Sequence, residues 1–138
     1  VSGKSSLMNT LSGRAKYARI RHGTSRTTGL ASGNAALQPH PSLFGYVPQE
    51  DVFHRALTVY EILYFQARLR LPRSFTHDDC HTLVRSHLDL LNLSHVQNTV
   101  VRGDQGGRTA ISGGQSRRLS MGMELVAKPS ILFLASTP

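Results

Sequence analysis

Apolar side chains along the chain recur at two kinds of spacing, and each predicts a different element. Leu7, Met8 and Leu11 share one side of a short helix from Lys4 to Leu11, with Gly13 suited to the position just past its end. Leu43-Phe44-Gly45-Tyr46-Val47 is a β-prone apolar run stopped by Pro48 and reads as a buried strand. Thr58-Val59-Tyr60-Glu61 has the form of a capping box, in which hydroxyl and carboxylate each satisfy an orphan backbone N–H. The helix it opens runs to about Leu71 and is ended by Pro72.

A second helix starts at Thr76-His77-Asp78-Asp79, with acids at the positive end of its dipole and Leu83, Val84, Leu88 and Leu91 on its apolar side. Gln115 to Lys128 repeats Leu119, Met123 and Val126 at i, i+4 and i+7, a third helical pattern closed by Pro129. Ser130 to Leu134 is a continuous apolar run of the kind found in core strands. Between these lie a polar, Gly- and Pro-punctuated stretch from Arg14 to Pro41 and a Gly-rich connector from Asn98 to Gly114. The predicted order is helix, strand, helical insertion, helix, strand, which is an α/β arrangement.

The chain has 138 residues, room for one domain or part of one. At 39% hydrophobic and 17% charged residues its composition is globular, and no apolar run approaches the roughly 20 residues of a membrane-spanning helix. A lone Cys80 excludes an internal disulfide. The net charge of +8 is uneven, because six of the sixteen basic residues precede the first acidic one, Glu50. Such a basic first third attracts phosphate, whether in a nucleotide, a nucleic acid or a lipid.

Two short motifs choose among these. Ser2-Gly3-Lys4-Ser5-Ser6 ahead of a helix matches the second half of a P-loop. There Gly3 lets the backbone approach phosphate, Lys4 reaches the β- and γ-phosphates, and Ser5 offers a hydroxyl to Mg²⁺. Ile111-Ser112-Gly113-Gly114-Gln115 again sets small residues and backbone N–H groups at a helix start, the second anion-facing element.

With these motifs in this order, the chain resembles the ATP-binding cassette (ABC) family. Ser112-Gly113-Gly114-Gln115 is similar to its signature motif, and Tyr46-Val47-Pro48-Gln49 to its Q-loop. Gly45 to Asp51, Leu57 to Glu61, Ala67 to Pro72 and Ser116 to Leu125 resemble the G-type (White/drug-resistance) branch of ABC transporters. The resemblance covers nearly the whole chain, least clearly from Arg14 to Ser42.

It implies a P-loop NTPase fold of the ABC type, present here as an interior fragment. Residues 1–57 would be the P-loop and Q-loop part of the core, 58–128 the helical subdomain with the signature helix, and 129–138 the Walker B strand region. The implied function is binding and hydrolysis of ATP, with Mg²⁺, to power transport across a membrane. Gly3, Lys4, Ser5 and Ser6 would bind phosphate, with Ser5 and Gln49 at the metal, and Gln49 would also act at the attacking water. Ser112, Gly113, Gly114 and Gln115 would meet the γ-phosphate held by a second nucleotide-binding domain. A transmembrane domain outside these residues is the other implied partner, which puts the chain on the cytoplasmic face of a membrane. No nucleic-acid partner is expected.

One departure bears on the chemistry. The family carries Asp-Glu after the last apolar strand, and this chain has Ala135 and Ser136. Alanine offers no metal ligand, and a serine hydroxyl is a far poorer proton acceptor than a carboxylate. Either the end of the chain is misread or truncated, or the site binds ATP without hydrolysing it, and the fragment as written is expected to be inactive. A soluble ABC ATPase of DNA repair or translation shares both motifs, but the G-like helical segment argues against it.

Other chemistry is weaker. His77 and His81, i and i+4 with Cys80 between them, have metal-ligand spacing, but a polar first turn facing solvent accounts for them. The basic stretch Arg14 to Arg26 has Tyr17 as its only aromatic, too little for stacking on single strands.

Overall fold

The structure is a computed structural model, and it describes residues 3, 6, 8, 44–49, 53–54, 56–101 and 111–135. Lys4, Ser5, the basic stretch from Arg14 to Arg26, residues 102–110 of the Gly-rich connector and Ser136 lie outside the described residues. Of the predicted first helix, Ser6 and Met8 are described, and both are helical.

Two strands, β1 (Phe44–Val47) and β2 (Ile131–Leu134), pair in parallel with Phe44 opposite Ile131 and Val47 opposite Leu134. A parallel pair needs a long crossover, and here that crossover holds, among the described residues, three α-helices: α1 (Val59–Arg70), α2 (His77–Leu90) and α3 (Gly113–Leu125). β1 is buried from Gly45 to Val47, as its apolar run predicts. β2 is not the buried strand that its sequence suggests. Ile131 and Leu134 remain 36% and 41% exposed, and β2 has one hydrogen-bonded neighbour among the described residues.

The first turn of α1 accounts for its orphan N–H groups one by one. Val59 N–H donates to Thr99 O at 3.1 Å, Tyr60 N–H to Gln97 O at 2.9 Å, and Glu61 N–H to the Thr58 hydroxyl oxygen at 3.2 Å. The Glu61 carboxylate in turn accepts from Thr58 N–H at 2.8 Å, completing the capping box. Segment 97–101 is thereby fastened to the start of α1, and Val101 N–H closes the join on Leu57 O at 3.1 Å.

α2 opens on a second box, Thr76 with Asp79, and ends on Asn92 at φ 52°, a left-handed residue that lets Leu93 N–H reach Leu88 O at 2.8 Å. α3 begins two residues earlier than its apolar repeat suggests and ends at Leu125 rather than Lys128. Ser112 is its cap, bonded reciprocally to Gln115, so Gly113 and Gly114 belong to the first turn despite their poor helix propensity.

The three helices bury a core of their own. Val59, Leu63 and Ala67 of α1 meet Val84 and Leu88 of α2 and Leu119 of α3, all at most 1% exposed. Each such leucine contributes on the order of 1.5–3 kcal/mol relative to an exposed side chain. Gly122 lets α3 pass close to this core, because a Cβ there would sit 2.7 Å from Leu91 Cδ1 and 3.1 Å from Leu63 Cδ2.

Candidate functional site

Function in open parallel sheets gathers at the carboxyl ends of the strands. β1 continues directly into Pro48 and Gln49, and β2 into Ala135, so the register of Val47 opposite Leu134 brings these two strand exits side by side. Ala135 N–H donates to Val47 O at 3.0 Å and prolongs the ladder by one bond. Gln49 is exposed and free of secondary structure, while Ala135 is 5% exposed.

The start of α3 is the second part of the site. Ser112, Gly113 and Gly114 are all exposed, and beyond the adjoining residues and the helix's own backbone nothing lies within 4 Å of a Cβ placed on Gly113. The backbone at a helix N-terminus is thus open on its positive end, the arrangement that suits an anion. Gln115 is half-buried. Its Oε1 accepts from Ser112 N–H at 2.8 Å, and its Nε2 lies 3.2 Å from His95 Nε2. Gln115 therefore holds the cap in place.

Of the residues predicted to form the P-loop, Gly3 and Ser6 are described and both are exposed. Gly3 has φ 66°, a left-handed conformation that glycine adopts without strain, and its Cβ position is open. That is what the glycine of a phosphate-cradling turn requires.

Two arginines join these parts, and neither is assigned a role by its sequence motif. Arg117 of α3 donates from Nη1 to Pro48 O and from Nη2 to Ala135 O, spanning both strand exits. Arg70 of α1 donates to Met123 O at 3.1 Å and to Glu124 Oε2 at 3.0 Å, and the same Glu124 oxygen accepts Tyr46 N–H at 3.2 Å. Charge near a G-rich helix start is visible in the sequence, but a partner 69 residues away is not. His95 is likewise missed, because its link to Gln115 spans 20 residues.

His77 and His81 are drawn into an aromatic cluster rather than left to solvent alone. Tyr64 Oη lies 2.6 Å from His77 Nδ1, Tyr60 Oη bonds His81 Nδ1, and the Tyr64 and His81 rings stack at 4.6 Å. His77 is exposed and His81 half-buried. Among the described residues no group of three His, Cys, Asp or Glu side chains is placed to hold a metal ion.

Electrostatic shifts fall on the helix caps. Hydrogen bonds from the Thr58 backbone and side chain hold the Glu61 carboxyl below its ordinary range, and those from the Thr76 side chain and backbone do the same for Asp79.

Comparison with known proteins identifies the family. Residues 2–135 match the ABC transporter family. The chain is 38% identical over 133 residues to ABC transporter G family member 17 of Arabidopsis thaliana, a match covering 96% of this chain and 19% of that protein. It is 37% identical over 133 residues to G family member 5 of Oryza sativa subsp. japonica, covering 96% and 16% respectively. Against G family member 22 of Dictyostelium discoideum it is 35% identical over 136 residues, covering 96% and 21%. The chain spans about a fifth or less of the length of each of these relatives.

Proposed function

The chain belongs to the ABC transporter family, and on that premise we propose that it is the ATP-binding part of a G-type transporter, using ATP to move a substrate across a membrane. Within it, residues 1–57 belong to the nucleotide-binding core, 58–128 to a helical subdomain carrying the signature motif, and 129–138 to the Walker B region. The observation that carries the reading is the side-by-side exit of β1 and β2, with Gln49 and Ala135 at one sheet edge and α3 hung on both through Arg117.

The residues divide the work by chemistry. Gly3, Lys4, Ser5 and Ser6 cradle phosphate, with backbone N–H groups and the Lys4 charge set against phosphate oxygens. Mg²⁺, when bound with ATP, neutralises charge on the transferring phosphoryl group. Ser5 and Gln49 are the oxygen donors this chain offers to the metal, and Gln49 also orients the attacking water. Ser112, Gly113, Gly114 and Gln115 present the open end of α3 to the γ-phosphate held by a second nucleotide-binding domain. A transmembrane domain is the remaining partner, which sets this part on the cytoplasmic face. No helix among the described residues is long and apolar enough to cross a membrane itself.

Ala135 fits this chemistry least, since its methyl group supplies no ligand where the family has a carboxylate. Binding is therefore the step the residues support best, with hydrolysis limited at 135 and 136.

The test is nucleotide binding and ATP-dependent transport by the full-length protein in lipid vesicles. Lys4→Met is expected to abolish photolabelling by an azido-ATP analogue and to stop transport. Undiminished labelling of that variant would sink the assignment of the P-loop.

A further inference from the structure

The guanidinium of Arg117 does something the motifs do not describe. It is a single planar fork, and its two ends fall on the carbonyls of Pro48 and Ala135, the first residues beyond β1 and β2. Pro48 immediately precedes Gln49, and Ala135 immediately precedes position 136. Among the described residues neither carbonyl accepts a backbone N–H, so a donor that spans them sets the height at which each segment leaves the sheet. Arg117 lies five residues after Ser112 on the same helix. The start of α3 and both strand exits are therefore linked through one side chain.

The far end of α3 is held separately. Glu124 accepts Tyr46 N–H within β1, and Arg70 braces that carboxylate from α1. With this second fastening in place, loss of Arg117 frees the strand exits without detaching the helix from the sheet. That separates a positioning role from a merely structural one.

We propose that Arg117 is a positioning residue of the nucleotide site: its two-pronged bond to Pro48 and Ala135 keeps Gln49 and Ala135 in register and makes both follow the signature helix. The inference rests on the ATP-binding reading above. A lysine cannot replace it, because an ammonium is a point donor and cannot span two carbonyls in a fixed plane. Methionine matches its length without donating at all.

The test uses the full-length protein, cleared of other accessible cysteines, with spin labels at Gln49→Cys and Lys128→Cys, both exposed positions. Cys80 is 1% exposed and stays unlabelled. The expected result is one narrow distance with Arg117, a distribution at least about twice as broad with Arg117→Met, and an intermediate width with Arg117→Lys. In the unlabelled protein, Arg117→Met is expected to weaken binding of a fluorescent ATP analogue about tenfold, in the range for loss of an orienting group, at an unchanged melting temperature.

Identical distance distributions in all three proteins would overturn the inference. So would broadening with unchanged ATP affinity, which would make Arg117 a packing residue, or weaker binding matched by a lowered melting temperature. Absence of ATP binding in the wild type would instead overturn the functional reading and carry this inference with it, so the two failures are distinguishable.

Discussion

Arg70 and Glu124, 54 residues apart, form an ion pair at 3.0 Å that ties α1 to α3. The Glu124 side chain is 14% exposed and that of Arg70 26%, so the pair is well shielded without being sealed from water. Its reach exceeds two charges, because Glu124 also holds Tyr46 N–H and Arg70 also holds Met123 O. The pair thus fixes α1 and α3 against β1 at Tyr46, three residues ahead of Gln49.

Glu124→Ala leaves a backbone N–H and a guanidinium short of an acceptor, and is expected to cost about 1–3 kcal/mol. Arg70→Ala frees the same carboxylate, so the double variant should lose less than the sum of the singles by at least about 0.5 kcal/mol. Denaturant midpoints for the four proteins measure this. Strict additivity would show that the two side chains act independently.

Gly122 marks the closest approach of α3 to the core, with Leu63 and Leu91 in the way of any Cβ. A helix-interior glycine ordinarily gains about 1 kcal/mol on replacement by alanine, and here crowding works against that gain. Gly122→Val adds two further methyl groups where Leu63 is fully buried, and its expected cost is about 2–3 kcal/mol. A thermal melt of the variant at or above the wild-type temperature would show that the leucines can yield.

What the sequence makes legible is what lies within one helical turn. The Thr58–Glu61 box, the stop at Pro72 and the acid-rich start at Thr76 all depend on residues three or four apart, and each is found where the pattern predicts. The start of α3 is displaced by two residues for the same local reason read differently. Ser112-Gly113-Gly114 has the composition of a loop, yet the reciprocal bond to Gln115 makes it a first turn. Arg117, Glu124 and Arg70 could not be ranked from spacing, because their partners are 69, 78 and 54 residues away. The 36% and 41% exposure of Ile131 and Leu134 is equally invisible to an apolar run, which records hydrophobicity and not which neighbours are at hand among the described residues.

The two threonine caps predict a pH dependence. Glu61 and Asp79 both have carboxyls held below their ordinary range by bonds from Thr58 and Thr76. A carboxylate with a lowered folded-state pKa contributes stability that is fully present above its unfolded value, about 4, and is lost as the pH falls through the lowered folded value. Glu61→Gln and Asp79→Asn keep an acceptor for the cap and remove the titration. Between about pH 5 and about pH 3, the denaturant midpoint of the double variant should fall less steeply than that of the wild type. Parallel slopes would mean that the caps do not carry the acid sensitivity.

On the proposed ATP-binding reading, hydrolysis turns on positions 135 and 136. Ala135 leaves β2 with its N–H on Val47 O and its carbonyl on Arg117, so its backbone is fixed and only the side chain is missing a function. A substitution there changes chemistry without requiring a new backbone path. Ala135→Asp would supply an oxygen ligand beside Gln49 for Mg²⁺, and Ser136→Glu a carboxylate able to polarise water. General-base assistance alone is typically worth about 10²–10⁴ in rate. The double variant in the full-length protein is therefore expected to raise ATP turnover by about two orders of magnitude or more, with ATP affinity changed far less. Phosphate release under single-turnover conditions separates that step from binding. A double variant that binds ATP and hydrolyses it no faster than the wild type would show that residues other than 135 and 136 limit the reaction.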